Sequence, residues 1–293
     1  MSRFVKLEEK ASVRKIRRIP TQGDVLVAKG DVVEPETVLA RGTVVNPDIR
    51  EVKVYARLRV DPEQVARHML KEEGDQVKKD EVIAIARSFF GRFTKVCRSP
   101  MEGTIEVFSK RAGRVLIRGK PIPVEIRAHI PGRITEIIPE EGAIVETQAS
   151  IVRGVFGVGG EVHGELVFAV ENPGEPLTTE VLSSDQEGRV LVGGSFTTLD
   201  AMRKAAKIGV GGIITGGVDQ KDLTEFLGGE IGMGVTGGES GVTTLIITEG
   251  FGIYPMNQET FRLLKSYEGR KVSIDGTTQI RQRMLRPEVI IPL

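Results

Sequence analysis

The stretch EGDQVKKDEVIAIA, residues 73–86, carries the pattern that decides the fold of this chain. In it Gly74 is followed three positions later by Val77, and nine and ten positions later by Ile83 and Ala84. A glycine shortly before a valine indicates a turn that enters a strand, because glycine adopts positive φ freely and valine favours a buried strand face. The stretch therefore predicts a turn followed by short strands.

Two more copies of this pattern occur in the chain. They are Gly30, Val33, Leu39 and Ala40, and Gly142, Val145, Ile151 and Val152. A second pattern, a glycine followed two residues later by valine or isoleucine, accompanies them: Gly23 with Val25, Gly103 with Ile105, and Gly132 with Ile134. The copies are few and unevenly spaced, which favours duplicated β half-modules over a solenoid.

Composition and charge limit the classes of protein that this sequence can encode. The chain has 293 residues, 40% hydrophobic and 28% charged, as expected for a globular protein of two or three domains. Its 41 lysines and arginines nearly balance 40 aspartates and glutamates, so the whole-chain charge gives no general attraction to nucleic acid or anionic membranes. Cys97 is the only cysteine, which excludes an internal disulfide and a cysteine-only metal cluster.

The sequence also carries information on localisation. It contains no apolar run of about 18 residues, and the first residues, MSRFVKLEEKASVRKIRRIP, lack an apolar stretch long enough to export or anchor a protein. We therefore expect a cytoplasmic protein without a membrane span.

Residues 1–180 are predicted to form a β-rich domain with one inserted helix, at about residues 62–72. Short runs of valine and isoleucine alternate there with glycine, proline and aspartate, a pattern typical of small twisted sheets. Asp61 suits the N-cap of the helix and Pro62 its first position, and Gly74 is expected to end it.

Residues 181–293 show a different period. Strand-like runs at 189–195, 210–215 and 243–248 alternate with helical segments whose expected capping residues are Thr197, Asp219 and Asn257. This alternation predicts an α/β domain with a small, mostly parallel sheet and right-handed crossovers. The pair Asp275-Gly276, between two β-prone runs, predicts a C-terminal hairpin.

The turn-and-strand repeats resemble the barrel-sandwich hybrid, or hammerhead, of biotinyl and lipoyl carrier domains. The resemblance covers about residues 12–155 and rests on the segments 20–42, 73–86, 99–113 and 130–154. It implies two half-motifs, each with a Gly-Asp turn and a strand, that interlock about a pseudo-twofold axis. This part is also similar to the opening domain of membrane-linked quinone and ferredoxin oxidoreductase subunits, in which a hybrid domain precedes an α/β domain.

Carrier domains of this family attach their cofactor to a lysine at an exposed hairpin tip. Lipoyl-type spacing, counted back from Pro100, places Arg92 where that lysine would stand. A guanidinium stays protonated and cannot be acylated, and Lys95 is too close to Pro100. The resemblance therefore implies unmodified modules, and we expect no covalent or other cofactor.

The C-terminal domain contains the best candidate for a binding site. Its three predicted parallel strands end in Gly193-Gly194-Ser195, Thr215-Gly216-Gly217 and Thr248-Glu249-Gly250. Ligands dock at the carboxyl ends of strands in open α/β sheets, and the N–H groups of glycine-rich turns can hold a phosphate or carboxylate. The alternative is that short connections between strand and helix need glycine only for their backbone angles.

Other motifs give weaker grounds for a site. Gly232, Gly234 and Gly237 spell G-x-G-x-x-G, but they follow a predicted helix instead of a strand, which favours a mobile loop, a lid or an oligomer contact over a dinucleotide site. The histidines are scattered without metal-ligand spacing: His68, His129 and His163. Cys97 lies in a strand-like run and is expected in the core. We expect no metal site and no catalytic group.

Basic residues are concentrated at four places in the sequence. The clusters are Arg14, Lys15, Arg17 and Arg18; Arg92, Lys95 and Arg98; Lys110, Arg111, Arg114, Arg118 and Lys120; and Arg281, Arg283 and Arg286. Clusters gathered on one face could neutralise phosphates and bind with strong salt dependence. On a nearly neutral chain, a solvated and salt-bridged surface is the alternative.

Rigid β repeats without a catalytic constellation predict a non-enzymatic scaffold, adaptor or assembly subunit with a protein partner or a homo-oligomeric state. The second hypothesis is a protein or enzyme that binds a small anion through the glycine-rich loops of the C-terminal domain. The third is RNA or DNA binding through a local basic face, which the charge balance makes unfavourable.

Overall fold

The computed structural model describes residues 6–88, 93–228, 243–278 and 285–293. Of these residues, 48% lie in strands and 16% in helices, so the chain is mostly β, with a large mixed sheet. Its contacts divide it into two units. The first unit contains Met1–Arg18, Val25–Ala40 and Ile126–Leu293, and the second contains Ile19–Asp24 and Arg41–Glu125.

The described residues form strands and a few short helices. The strands are β1 (Lys6–Arg18), β2 (Gly23–Val25), β3 (Val32–Val33), β4 (Val38–Val44), β5 (Ile49–Lys53), β6 (Gln76–Val77), β7 (Val82–Ser88), β8 (Phe93–Arg98), β9 (Gly103–Ser109), β10 (Arg114–Gly119), β11 (Ile122–Arg127), β12 (Gly132–Ile138), β13 (Gly142–Arg153), β14 (Phe156–Val158), β15 (Glu161–Phe168), β16 (Val190–Val192), β17 (Phe196–Thr197), β18 (Gly212–Val218), β19 (Thr244–Phe251), β20 (Lys271–Asp275) and β21 (Glu288–Pro292). The α-helices are α1 (Val54–Leu58), α2 (Leu199–Ile208), α3 (Gln220–Leu227) and α4 (Gln258–Lys265), and 3-10 helices cover Pro62–Arg67, Thr179–Val181 and Ser184–Gln186. None of the described helices has the length and apolar character needed to cross a membrane.

Twelve strands belong to one mixed sheet. Its order is β14-β19-β18-β16-β15-β20-β21-β13-β12-β3, with β1 paired to β13 and β17 paired to β18. The other strands form a four-stranded sheet of order β5-β10-β9-β6, a three-stranded sheet of order β11-β4-β2, and the hairpin β7-β8. Side chains from β5 to β10 and from α1 form one apolar core in the second unit, while the large sheet carries the cores of the first.

The parallel part of the large sheet is β15-β16-β18-β19, and α2 and α3 connect its strands. Each of these helices and α4 begins at a capping side chain that accepts a backbone N–H: Thr198, Asp219 and Asn257. Asp219 and Asn257 agree with the sequence prediction. The cap of α2 is Thr198 instead of Thr197, because Thr197 belongs to strand β17 and pairs there with Val218 of β18.

The described strands contain an internal repeat. The order β1-β13-β12-β3 of the first unit recurs as β5-β10-β9-β6 in the second. The pairing agrees to the residue, because Val33 lies opposite Gly132 in the first copy and Val77 lies opposite Gly103 in the second. The strands β4 and β7 have seven residues each, and β11 and β8 have six each.

The turns of the two copies make the same hydrogen bonds. Gly30 donates its N–H to the Ile134 carbonyl, and Gly74 donates to the Ile105 carbonyl, both at 2.8 Å. Each isoleucine N–H bonds in return to the residue after the glycine, at 2.8 and 2.9 Å. Both glycines have positive φ, 98° and 92°, as the turn requires. In the first half of the repeat, a residue of the first copy has its equivalent 44 positions later in the chain, as Gly30 has Gly74. In the second half the equivalent lies 29 positions earlier, as Ile105 is the equivalent of Ile134.

The apolar positions of the sequence pattern are buried in all three copies. Each of the following is at most 3% exposed: Val33, Leu39, Ala40, Val77, Ile83, Ala84, Val145, Ile151 and Val152. The glycine of the third copy differs from the other two. Gly142 is nearly extended, with φ 158°, and a Cβ there would lie 2.0 Å from the Arg17 carbonyl oxygen. This glycine permits a close approach of β1 instead of forming a turn.

The helix predicted at about residues 62–72 is shorter and of another type. Pro62–Arg67 form a 3-10 helix, and Asp61 makes no side-chain cap. The Leu70 N–H donates to the Ile83 carbonyl at 2.9 Å, so the backbone here is engaged with β7 and cannot continue a helix. The preceding helix α1 is absent from the sequence prediction.

The C-terminal hairpin differs from the prediction in its second strand. β20 pairs with β21, with Asp275 opposite Glu288, instead of with the run directly after Gly276. Part of that run, residues 279–280, lies outside the described residues. The expected domain boundary between residues 180 and 181 falls inside the first unit, where β15 and β16, on either side of it, pair in parallel.

Candidate functional site

The structure brings the three predicted glycine-rich triplets to one edge of the parallel strands. The Gly194 carbonyl accepts the Gly216 N–H at 2.9 Å. The Thr248 hydroxyl donates to the Thr215 carbonyl at 3.2 Å. These contacts join the triplets associated with β16, β18 and β19, so their residues lie together as the strand order implies.

Two of the triplets lie in strands where loops were predicted. The pairing of β18 with β19 continues to Val218 opposite Phe251, so Thr215-Gly216-Gly217 and Thr248-Glu249-Gly250 precede the strand ends. A register shift between Thr215 and Gly217 leaves Gly216 between two paired residues. Gly193-Gly194-Ser195 follows its strand, because β16 ends at Val192, whereas the strand-like run is predicted to extend to residue 195.

Several backbone donors at this edge are bonded within the chain. Ser195 donates its N–H to the Glu175 carbonyl and Gly193 donates to the Ile214 carbonyl, both at 2.8 Å. An anion at the edge of a sheet is held by N–H groups that point outward without a partner. The donors of Ser195, Gly193 and Gly216 already have carbonyl partners, which favours a packing role for these residues.

Close backbone contacts explain the glycines at this edge. A Cβ would lie 2.0 Å from the Tyr254 carbonyl oxygen at Gly216, 2.1 Å from the Gly252 carbonyl oxygen at Gly217, and 2.3 Å from the Glu175 carbonyl oxygen at Gly194. Residues 172–175 and 252–256 therefore lie directly against the triplets. Any larger residue would have to displace one of these segments.

The second unit carries a groove of about 470 Å³ between the segment 66–73 and the end of β9. Met69, Leu70 and Phe108 form its apolar wall, and Leu70 is 57% exposed. We call this surface the Leu70 groove. It is a candidate contact surface because a large aliphatic side chain is left in water at its rim.

Charged side chains flank the Leu70 groove. Lys71 lies 2.8 Å from Glu81, and Glu73 accepts the Phe108 N–H at 2.6 Å. Lys110 lines the groove and makes no ion pair within the described part of the chain. The groove therefore offers one cation that a carboxylate of a bound molecule could reach.

The hairpin β7-β8 flanks Arg92, the position at which the sequence resemblance places the cofactor-bearing lysine of carrier domains. Its strands pair up to Ser88 opposite Phe93. The tip, which includes Arg92, lies outside the described residues. Lys95 lies within β8, away from the tip. Cys97 of the same strand is fully buried, which confirms its predicted core position, and burial raises the pKa of its thiol.

A charged cluster in the first unit joins strands that are distant in sequence. Arg17 of β1 forms a two-pronged ion pair with Glu161 of β15, with Nη2 2.6 Å from Oε2, and its Nε donates to the Arg127 carbonyl at 2.8 Å. Lys15 of β1 pairs with Glu288 of β21. This part of the first basic cluster is thus salt-bridged, as the alternative interpretation of the sequence holds.

His129 lies beside this cluster and is 4% exposed. Its backbone is left-handed, with φ 66°, and the Ser273 hydroxyl donates to its carbonyl at 2.5 Å. The Nε2 atom has no hydrogen-bond partner among the described residues. Burial lowers the pKa of the imidazole to about 4, so the ring is neutral near pH 7.

His163 lines a separate cavity of about 180 Å³, together with Glu36, Lys271 and Ser273. Its Nε2 lies 2.7 Å from Glu36 Oε1. Ser273 lies opposite His163 on β20, but its hydroxyl donates to the His129 carbonyl. The arrangement therefore provides a close contact between His163 and Glu36, without the hydroxyl-to-imidazole hydrogen bond that an activated serine needs.

Sequence reasoning missed these polar contacts because no local spacing signals them. Glu36 and His163 meet only through the folding of separate segments. Among the described residues, no group of three or more His, Cys, Asp and Glu side chains is placed to hold a metal ion. Five further residues singled out from the sequence fall outside the described residues: Gly232, Gly234, Gly237, Arg281 and Arg283.

No family model, no curated protein and no solved structure matches this chain. A functional conclusion therefore depends on the geometry of the chain itself.

Proposed function

We propose that this chain is a non-enzymatic, cytoplasmic adaptor or assembly subunit built from unmodified modules of the barrel-sandwich hybrid type. The internal repeat of strands and turn hydrogen bonds carries the proposal. Such modules supply a rigid frame, and the function then lies in the surfaces that the frame presents to a protein partner.

The repeat supports the hybrid type because each copy joins two half-motifs through reciprocal bonds. In one copy the turn at Gly30 bonds to Ile134, and in the other the turn at Gly74 bonds to Ile105. The bonded residues lie far apart in sequence and in different halves of the repeat. Interlocking of this kind is the arrangement that the resemblance implies.

The connectivity of the copies supports the absence of a cofactor arm. The strands β4 and β11 correspond to β7 and β8, and residues 45–121, which hold the second copy, connect β4 to β11. In the second copy the corresponding connection is residues 89–92, with the sequence FFGR. The first connection is a whole module instead of a short tip, and the second has no lysine, so neither places a lysine at a short hairpin tip, where carrier domains are acylated.

The Leu70 groove is the surface that we assign to the partner. Burial of the exposed part of an aliphatic side chain contributes about 25 cal/mol per Å². We expect the partner to present an apolar side chain to Leu70 and Met69 and a carboxylate to Lys110. The partner is either another protein or a second copy of this chain.

We propose that the C-terminal part, residues 181–293, supplies most of an α/β layer that completes the frame. Its parallel strands and helices α2 to α4 support this role, and β15, which pairs with β16, extends the layer to residues before 181. The bonded donors at Ser195 and Gly216 favour packing over the binding of an anion at the glycine-rich edge. The adaptor role is accordingly preferred to the anion-binding hypothesis.

The test combines native mass spectrometry of the purified chain with affinity capture from its native cytoplasm. We expect either a defined oligomer or one stoichiometric partner. Leu70→Glu should reduce that association about tenfold or more, because it places a charge in the apolar wall.

Leu26→Glu is the matched control, since Leu26 is the equivalent residue of the first copy and is 49% exposed. It should leave the association unchanged, and thermal unfolding should show that both variants are folded. A strictly monomeric protein without a stoichiometric partner, or an equal loss in both variants, would contradict the proposal.

A further inference from the structure

One wall of the Leu70 groove is the open edge of a short strand. Met69, which lines the groove, lies opposite Ala84 of β7 in an isolated antiparallel bridge. The hydrogen bonds of this bridge are made by the residues on either side of the pair, such as Leu70, whose N–H donates to the Ile83 carbonyl at 2.9 Å. In a pair of this kind the backbone groups of the central residue point away from the neighbouring strand. The N–H and carbonyl of Met69 therefore face away from β7.

Neither of these two backbone groups of Met69 has a hydrogen-bond partner among the residues that the structure describes. An unpaired N–H and carbonyl at the edge of a strand form a template on which another strand can pair. Such groups are costly to shield from water unless a partner replaces the water. An occupant of the groove must therefore supply both bonds, which an extended peptide backbone does.

The facing wall of the groove is closed to strand pairing at Phe108. This residue of β9 lies opposite Val115 of β10, and its N–H donates on the other side to the Glu73 carboxylate at 2.6 Å. The carboxylate occupies the position that the carbonyl of an added strand would take. An added strand therefore finds its hydrogen bonds at Met69 and packs its side chains against the ring of Phe108.

The charges of the groove favour an occupant of small net charge. The lining contains two lysines, Lys71 and Lys110, and two glutamates, Glu72 and Glu73. Lys71 pairs with Glu81 at 2.8 Å, whereas Lys110 makes no ion pair within the described part of the chain. One carboxylate opposite Lys110 is therefore complementary to the groove. The balance of the lining disfavours a polyanion such as a nucleic acid, which needs an excess of cations.

A second copy of this chain fits the groove less well than another protein does. The longest edge strand among the described strands is β1, which pairs only with β13. More than half of its residues are charged, and the positions that it exposes include Arg14 and Arg18. Every second side chain of an added strand faces the same way, so an apolar wall requires apolar residues at alternate positions. The exposed positions of β1 do not provide them.

We propose that the Leu70 groove binds an extended segment of a partner protein, which adds as a β-strand to the edge at Met69. This mode of binding rests on the adaptor function proposed above and defines the chemistry of the partner. Backbone hydrogen bonds supply affinity in strand addition, and alternate side chains supply specificity. The segment carries apolar residues at every second position, for the wall formed by Leu70 and Phe108, and a carboxylate for Lys110.

A library of random decapeptides, selected on the full chain and counter-selected on Leu70→Glu, supplies the probe. Enriched peptides should carry apolar residues at alternate positions. The Met69 amide should exchange its hydrogen about tenfold or more slowly when such a peptide is bound. The Leu70 amide, which is bonded to the Ile83 carbonyl, should already be protected in the free chain. Val25, the equivalent of Met69 in the first copy, is the control, and its exchange should not change.

Two N-methylated forms of an enriched peptide test the strand geometry. Successive residues of a strand direct their N–H groups to opposite sides, so methylation at one set of alternate positions should weaken binding about tenfold or more. Methylation at the other set should weaken it far less. The affinity of the unmethylated peptide should change by less than about threefold between about 50 and 300 mM NaCl, because the charges of the groove balance.

Equal binding of the two methylated forms, an unchanged Met69 amide in the complex, or a library without an enriched peptide would overturn strand addition. A homo-oligomer that protects the Met69 amide would place a second copy in the groove and would overturn the choice of partner. The adaptor function is tested separately, because it requires only a stoichiometric partner or an oligomer whose association Leu70→Glu weakens. Thermal unfolding of Leu70→Glu shows that a loss of binding is not a loss of the fold.

Discussion

Single residues in this chain are buried in environments that change their chemistry. His129 is the strongest case, since its ring is removed from water while its backbone occupies the left-handed region. A left-handed residue other than glycine is uncommon, and asparagine tolerates this conformation better than most side chains. Replacing His129 with asparagine should therefore remove the imidazole without straining the backbone, so that the effect of the ring on stability can be measured.

We predict that His129 makes the stability of the protein fall at mildly acidic pH. Its pKa is about 4 in the folded state, against 6.5 for an ordinary histidine, so below about pH 6.5 the unfolded state binds more protons. Stability should fall from there toward pH 4, by about 2 kcal/mol at pH 5. Urea unfolding at a series of pH values should show that His129→Asn loses about 2 kcal/mol less than the wild type between about pH 7 and pH 5.

His129→Gln provides a check, because it also removes the ring but keeps a longer side chain. Both variants should share the reduced pH dependence, whatever their stability near pH 7. Curves parallel to that of the wild type would contradict the assignment to this histidine.

At the scale of elements, the edge of β18 depends on contacts between backbones. Gly216 lies where a Cβ would come within 2.0 Å of the Tyr254 carbonyl oxygen. By contrast, a Cβ at Gly174 would have no atom within 4 Å. The two glycines thus differ in their surroundings.

Gly216→Ala should destabilise the protein by about 2 kcal/mol or more, because residues 252–256 must move away from β18. Gly174→Ala should change the free energy of unfolding by less than about 0.5 kcal/mol. Urea denaturation of the two variants beside the wild type measures both effects. Equal stabilities for the two variants would contradict the prediction, because they would show that residues 252–256 can move away from β18 without a cost in the free energy of unfolding.

The sequence predicts those elements whose signals are local. The helices α2, α3 and α4 follow from periodic apolar residues between a capping side chain and a glycine. The segment at 62–72 has the same local signals, but its helix ends at Arg67. The Leu70 N–H donates to the Ile83 carbonyl of β7, so the second half of the segment cannot be helical. The hairpin at Asp275 fails similarly, since β21 pairs with both β13 and β20.

The candidate site follows the same rule. Strand order places the nine glycine-rich residues together, and that is predictable. The covering of this edge by residues 172–175 and 252–256 is a contact between distant segments, which no local pattern shows. The contact of His163 with Glu36 is similar, because these two side chains meet only in the folded chain.

At the scale of the whole molecule, the division into two units has consequences for unfolding. Each unit has a hydrophobic core of its own, with Ile105 fully buried in the second and Ile214 fully buried in the first. Separate cores allow separate cooperative transitions, which is a departure from two-state behaviour.

Differential scanning calorimetry should therefore resolve two transitions in the wild type. Ile105→Ala should lower one of them and Ile214→Ala the other, each by a loss of about 2 to 4 kcal/mol from its own unit. A single transition that both variants lower equally would show that the two cores unfold as one.

The strand β1 pairs with a strand more than 120 residues further along the chain, since Lys6 lies opposite Arg153 and Arg18 lies opposite Gly142. During synthesis this segment leaves the ribosome long before β13 exists, so it must wait in water as an unpaired strand. More than half of its thirteen residues are charged, and these charges disfavour the pairing of the exposed segment with other nascent chains. In ribosome-bound chains the segment of β1 should accordingly remain unpaired until translation has passed residue 153.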